Sequence, residues 1–197
     1  MDFLIATHNK KKQAEMQRVL EPLGINVKTA AELGIELSEV EENGTTFHEN
    51  ARIKALSGCK ESGLPCIADD SGICVDHLGG GPGIYSARYS GGDDEDNNDK
   101  LLMELDGVEK EKRTAHYACS ISCCFPDGRE ITAEGKCYGY IGFERQGTGG
   151  FGYDPLFITE KGCFGELSPA EKDEMSHRGI ALRELKEKLE SENLYDK

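Results

Sequence analysis

Between His116 and Tyr140 the chain carries a long strand, a turn and a returning strand, and this stretch commits the 197-residue sequence to a β-sheet. Tyr117, Cys119, Ile121, Cys123 and Phe125 alternate with His116, Ala118, Ser120, Ser122 and Cys124. Pro126-Asp127-Gly128 supplies the turn, and Ile131 to Tyr140 returns as the second strand of a hairpin. Other segments interleave with it. Phe3-Leu4-Ile5-Ala6 predicts a short strand, followed by the polar loop Thr7 to Lys12 and a helix carrying Met16, Val19, Leu20 and Leu23, stopped at Gly24. Ile25-Asn26-Val27 predicts another short strand. Thr46 with Glu49 three residues later forms a capping box for a helix from Phe47 to about Ser62.

Leu64 to Ala68 predicts a buried strand, and Gly79 to Gly83 a loop, because four glycines and a proline hold regular structure at high cost. Asp93 to Asp96 place negative charge at the start of a helix bearing Leu101, Leu102 and Leu105, where the helix dipole favours it. Ser168-Pro169-Ala170-Glu171 opens another helix, and Ile180, Leu182, Leu185 and Leu189 mark the last one. Strands interleaved with helices, together with the hairpin, predict an α/β fold with a mixed sheet flanked by helices, as one domain over residues 1–197.

The formal net charge of -14, with no basic block longer than Lys10-Lys11-Lys12, argues against a nucleic-acid partner held by counterion release. No apolar run approaches the roughly 20 residues that span a bilayer, and Met1-Asp2-Phe3-Leu4-Ile5 lacks the basic region of a signal peptide. No membrane partner and a cytoplasmic location are therefore expected. The eight cysteines form no C-x-x-C pair and are read as reduced thiols, with Cys119 and Cys123 acting as small apolar side chains.

Three features point to chemistry. Asp69-Asp70-Ser71 stands where the apolar run Pro65 to Ala68 stops, and paired acids there are costly unless a cation or a transferred proton compensates them. The loop Thr7-His8-Asn9-Lys10-Lys11-Lys12 lies where a strand gives way to a helix, a place whose free amides attract phosphate oxygens. Positive charge at a helix N-terminus is otherwise unfavourable, so the lysines there imply an anion. Glu41, Glu42, Asp69 and Asp70 offer the oxygen ligands that magnesium prefers. Lysines facing a magnesium site suggest a nucleoside triphosphate. Phe151 and Tyr153, on the glycine-rich loop Gly147 to Pro155, offer faces for stacking a base, and His177-Arg178 offers donors to a carbonyl such as purine O6.

Six ordered motifs carry a resemblance across nearly the whole chain: Thr7-His8-Asn9 with Lys12, Thr46 to Ala51 with Lys54, Ala68 to Gly72, Leu78 to Arg88, Gly149 to Pro155, and Ser176-His177-Arg178. In this order they resemble the inosine triphosphate pyrophosphatase family, also called XTP/dITP diphosphatases, which remove deaminated purine nucleotides. The resemblance implies an elongated mixed sheet with two lobes and a nucleotide cleft between them, a homodimer, and Mg2+ as cofactor. It implies that ITP, dITP or XTP and water give the monophosphate and pyrophosphate. By the same likeness Thr7 to Lys12 hold phosphates, Asp70 is proton acceptor and magnesium ligand, and Ser71 contacts substrate. Phe151, Gly152, Tyr153, Asp154, Lys172, His177 and Arg178 shape the base and sugar pocket, and the second metal carboxylate is Glu41 or Glu42. Lys12 and Lys54 are expected to neutralise phosphate charge. Competing readings are a silent nucleotide-binding regulator, a phosphatase or pyrimidine pyrophosphatase, and an acidic interaction module.

Overall fold

The computed structural model describes residues 2–194. In chain order the elements are β1 (Asp2–Ile5), α1 (Lys10–Leu20), β2 (Asn26–Thr29), α2 (Ala30–Leu33), α3 (Phe47–Ser62), β3 (Cys66–Val75) and β4 (Gly81–Pro82). They continue as α4 (Asp94–Glu104), β5 (Thr114–Cys124), β6 (Glu130–Ile141), β7 (Phe157–Thr159), β8 (Gly162–Cys163), α5 (Pro169–Met175) and α6 (His177–Ser191). The expected hairpin is β5 and β6, and the helix that Thr46 caps begins at Phe47 and ends at Ser62. The described residues divide into two compact units, and β3, β5 and β6 contribute residues to both.

The first unit holds the chain up to Asp70, Cys119–Gly135 and the residues from Arg178. Its strands run β2-β1-β3-β5-β6, with β1 parallel to both β2 and β3. Side chains alternate across a strand, so each face collects its own core. Phe3, Ile5, Val27 and Ile67 pack against Met16 and Leu20 of α1 and against Ala181, Leu182, Leu185 and Leu189 of α6. On the opposite face Leu4, Ala6, Cys66 and Ala68 pack against Ala55 and Cys59 of α3.

A glycine inside α3 costs about 1 kcal/mol relative to alanine, and here the cost has a reason. A Cβ on Gly58 would lie 2.6 Å from Cys66 Sγ and 2.9 Å from Ala6 Cβ, so the helix approaches the sheet as closely as it does only because that position is bare. Lys54 and Asn50 lie one and two turns earlier on the same side of α3.

The second unit comprises Ser71–Ala118 and Lys136–His177. Here β4 pairs antiparallel with β3, β7 with β6, and β8 with β7. Ile73, Val75, Leu101, Leu105, Tyr117, Tyr153, Phe157 and Phe164 form its core.

One strand corrects the sequence reading. The run expected to stop at Ala68 continues as β3 to Val75, so the paired acids lie inside a strand, not at its end. Ile73 and Val75 are fully buried and β4 pairs with Cys74 and Val75, which supplies the packing and hydrogen bonds that carry the strand past its charges. The same pairing gives the glycine-rich segment 79–83 a two-residue strand where a loop was expected.

Candidate active site

Adjacent residues on a strand point to opposite faces, and β3 therefore separates Asp69 from Asp70. Asp69 follows Ile67 toward α1 and α6. Its Oδ2 accepts from Arg178 Nη2 at 2.9 Å and Nε at 3.2 Å, and lies 3.1 Å from Lys12 Nζ. Glu15 of α1 closes this buried cluster through a second ion pair with Arg178. The other oxygen, Asp69 Oδ1, is buried with no hydrogen-bond partner. Asp70 follows Cys66 and Ala68 toward α3. Its Oδ2 accepts from Asn50 Nδ2 at 3.1 Å, and its Oδ1 is 3.6 Å from Lys54 Nζ. Lys54 also donates to Glu42 Oε2 at 2.8 Å. Asn50 is oriented by a second bond, accepting from Gly44 N at 2.9 Å, and a Cβ on Gly44 would crowd that same oxygen at 2.7 Å.

These surroundings set opposite proton affinities. Burial works against ionisation of Asp69, but Arg178, Lys12 and Lys54 overcome it and hold the carboxyl well below the usual range. For Asp70 burial wins over Lys54, Lys12 and the Asn50 bond, and its pKa is raised. Burial works against the Lys54 ammonium, yet Asp70, Asp69 and Glu42 together raise its pKa. One carboxylate is thus a fixed counter-ion and its neighbour is poised to take a proton.

Three lysines open α1, with no acid in its first turn. The Asn9 side chain caps the helix, accepting from Lys11 N at 3.0 Å and Lys12 N at 3.2 Å, while Asn9 N donates to Thr7 Oγ1 at 3.2 Å. Lys12 turns inward to Asp69, whereas His8, Lys10 and Lys11 are exposed. Ser71 follows Asp70 on β3 and is half-buried.

In the second unit the glycine-rich loop folds around one carboxylate. Asp154 Oδ2 accepts from Phe151 N at 2.9 Å and from Lys172 Nζ at 2.6 Å. Gly150 has φ +73°, and a side chain there would collide with Asp154, so the turn requires glycine. The Lys172 ammonium lies 4.7 Å from the Phe151 ring centroid. Gly152 is fixed from both ends, its N donating to Asp94 Oδ2 at 2.8 Å and its O accepting from Asn98 Nδ2 at 2.9 Å. His177 lies flat on Tyr117, with centroids 4.5 Å apart and an interplanar angle of 6°. Tyr153 departs from the sequence reading. It is a core residue whose hydroxyl donates to Ser86 O at 2.7 Å, so Phe151, half-buried, is the ring on this loop with a face to offer.

A model of the Ham1 family matches residues 3–188. The chain belongs to the Ham1 family. It is 50% identical over 193 residues to the dITP/XTP pyrophosphatase of Haemophilus influenzae, covering 95% of this chain and 98% of that relative. It is 48% identical over 188 residues to the dITP/XTP pyrophosphatase of Bacillus licheniformis, with 93% and 95% covered. Among solved structures, a HAM1 protein from Coxiella burnetii superposes with a TM-score of 0.85 at 36% identity, over 97% of this chain and 99% of that one.

Within this Ham1-family chain, the sequence-predicted residues divide between the two clusters, and one changes its place. Lys12, Lys54, Glu42, Asp69 and Asp70 come together in the first unit. Phe151, Asp154 and Lys172 come together in the second. Arg178, expected beside His177 in the base pocket, is instead engaged by Asp69 and Glu15. Consecutive residues in the first turn of α6 point in different directions, which sends the two side chains apart. Sequence reasoning passed over Glu15 and Tyr117. Glu15 had a detectable signal: a carboxylate next to Met16 on a helix is costly to bury unless a cation meets it.

Among the described residues no group of three or more His, Cys, Asp or Glu side chains is placed to hold a metal ion. Magnesium asks for less, commonly one or two protein carboxylates with waters and substrate phosphates completing the octahedron. Glu42 and Asp70 fit that demand, because both converge on a single cationic position, the Lys54 ammonium. Glu41 is exposed and outside this group. Asp69, with Oδ2 engaged by two cations, acts here as their counter-ion and not as a member of the Glu42–Asp70 pair.

Proposed function

We propose that this chain hydrolyses deaminated purine nucleoside triphosphates, dITP, ITP and XTP, to the monophosphate and pyrophosphate. The observation that carries the reading is the buried Asp70, its pKa raised, within reach of a lysine and a second carboxylate. The names of the relatives, dITP/XTP pyrophosphatase, support the substrate class.

In this reading Asp70 accepts a proton from the attacking water. The water oxygen bonds to the α-phosphorus, the bond from that phosphorus to the α–β bridging oxygen breaks, and pyrophosphate departs with the electron pair. Lys12 and Lys54 offset the charge on the phosphate oxygens, and the N-terminus of α1 with Thr7 to Lys12 orients them. Magnesium, held by Asp70 and Glu42, would supply further neutralisation of phosphate charge. Ser71, which follows Asp70 on β3, contacts the substrate. Phe151 stacks on the purine and His177 donates to its 6-keto oxygen. Adenine presents an amino group there, donor against donor, and a site built around such a bond rejects the analogue by roughly 10⁴. Arg178 acts indirectly, by keeping Asp69 ionised.

A homodimer working in the cytoplasm belongs to the same proposal, and the eight free thiols are in keeping with a reducing compartment. No helix among the described residues is long and apolar enough to cross a membrane. The test is a panel of nucleoside triphosphates with magnesium, read by pyrophosphate and orthophosphate yield. Pyrophosphate from dITP, ITP and XTP with little from ATP is the expected result. Orthophosphate as the product, or equal turnover of ATP, would contradict the proposal.

A further inference from the structure

Tyr117 occupies a strand position that packing alone would fill equally well with phenylalanine. Its ring is in edge contact with Phe157 at 4.9 Å and nearly parallel to Phe164 at 6.0 Å, and it carries the His177 imidazole on its face. A buried tyrosine hydroxyl needs a partner, and burial together with the neighbouring Asp154 carboxylate raises this phenol well above its usual range, which keeps it a donor. It also sits under the glycine-rich loop, 3.9 Å from where a Cβ on Gly152 would lie. Asp154 is the carboxylate that holds Lys172 and the Phe151 amide. One side chain therefore carries His177 on its ring and, at its hydroxyl, faces the carboxylate that anchors Lys172 and Phe151.

We infer that Tyr117 is a positioning residue for purine recognition: its ring sets the plane of the His177 imidazole, and its hydroxyl sets the carboxylate that fixes Lys172 and the Phe151 turn. The inference rests on the proposed role of His177 at the base. A tyrosine that merely filled the core would leave substrate choice untouched when its hydroxyl is removed. A positioning tyrosine would not, because Asp154 loses one of the donors that aim it while the ring stack survives.

The experiment compares the wild-type chain with Tyr117→Phe and Tyr117→Leu, measuring kcat and KM for dITP and dATP by pyrophosphate release, with thermal melting alongside. For Tyr117→Phe the KM for dITP should rise about tenfold with kcat within about twofold and melting close to wild type, as expected for one lost bond to a charged group. The preference for dITP over dATP should narrow by a similar factor. Tyr117→Leu removes the stack as well and should narrow the preference further. Phenylalanine thus partly rescues what leucine loses. Wild-type KM and preference in Tyr117→Phe would overturn the inference, as would equal loss of kcat and melting temperature in both variants with the preference intact. A wild-type chain that releases no pyrophosphate from dITP would remove the underlying reading, and this inference with it. A wild-type enzyme active on dITP with an indifferent Tyr117→Phe would remove the inference alone.

Discussion

On one side of β3, Asp69 lies against Arg178 and Lys12 in a buried cluster that keeps it ionised. On the other side Asp70 meets the Asn50 amide and, at 3.6 Å, the Lys54 ammonium, and burial raises its pKa. The two carboxylates are chemically identical and share a peptide bond. Strand geometry alone sends them into surroundings with different consequences, a fixed counter-ion in one case and, in the proposed mechanism, a base in the other. Under that proposal the fold draws two roles from one repeated residue: whichever face gathers more positive charge removes its carboxylate from proton transfer.

The largest effect that would break the comparison is on turnover. Asp70→Asn should lower kcat/KM for dITP by about 10²- to 10⁴-fold, the usual contribution of a general base, while nucleotide binding persists. Turnover close to wild type in that variant would place the base elsewhere. Asp69→Asn should act on the fold instead, costing about 3–5 kcal/mol in a denaturant melt at neutral pH, because it strips Arg178 of a buried counter-charge. The acid limb carries the same signature. A carboxyl whose folded pKa is depressed contributes stability above its unfolded pKa and loses it as pH falls toward the folded value, so the wild-type chain should weaken below about pH 4. Asp69→Asn should lack that part of the slope.

Metal demand sharpens the contrast between the faces. Glu42→Gln should raise the magnesium concentration needed for half-maximal activity on the order of tenfold, with Glu41→Gln near wild type. Equal effects from the two variants would detach the metal from the Asp70 face. An effect of similar size comes from Gly58→Val, which forces α3 off the sheet against Cys66 and Ala6 and should cost about 1–3 kcal/mol. Activity should fall with it, since Asn50 and Lys54 ride on the same helix.

Much of this was legible in the sequence, because local signals carry local structure. Thr46 and Glu49 locate the start of α3, Ser168, Pro169 and Glu171 locate α5, and the alternation around Cys119 defines the hairpin. The paired acids and the lysine loop pointed to residues that the structure brings together, Lys12 beside Asp69 and Lys54 beside Asp70. What stayed hidden depends on partners far away in the chain. Nothing near Asp69 announces Arg178, 109 residues on, and nothing near Tyr117 announces His177. The end of β3 was misplaced because charges ordinarily end a buried strand, and here distant cations meet Asp69 while β4 pairing and the burial of Ile73 and Val75 carry the strand on.

The most direct test is a carboxyl-carbon NMR titration of the metal-free protein with Asp69 and Asp70 assigned. The account predicts that Asp70 titrates above the ordinary aspartate value of 3.8 while Asp69 stays ionised through the accessible acid range. It also predicts that added magnesium lowers the Asp70 midpoint, because a bound cation competes with the proton. Asp69 titrating at higher pH than Asp70, or both moving together near 3.8, would contradict it.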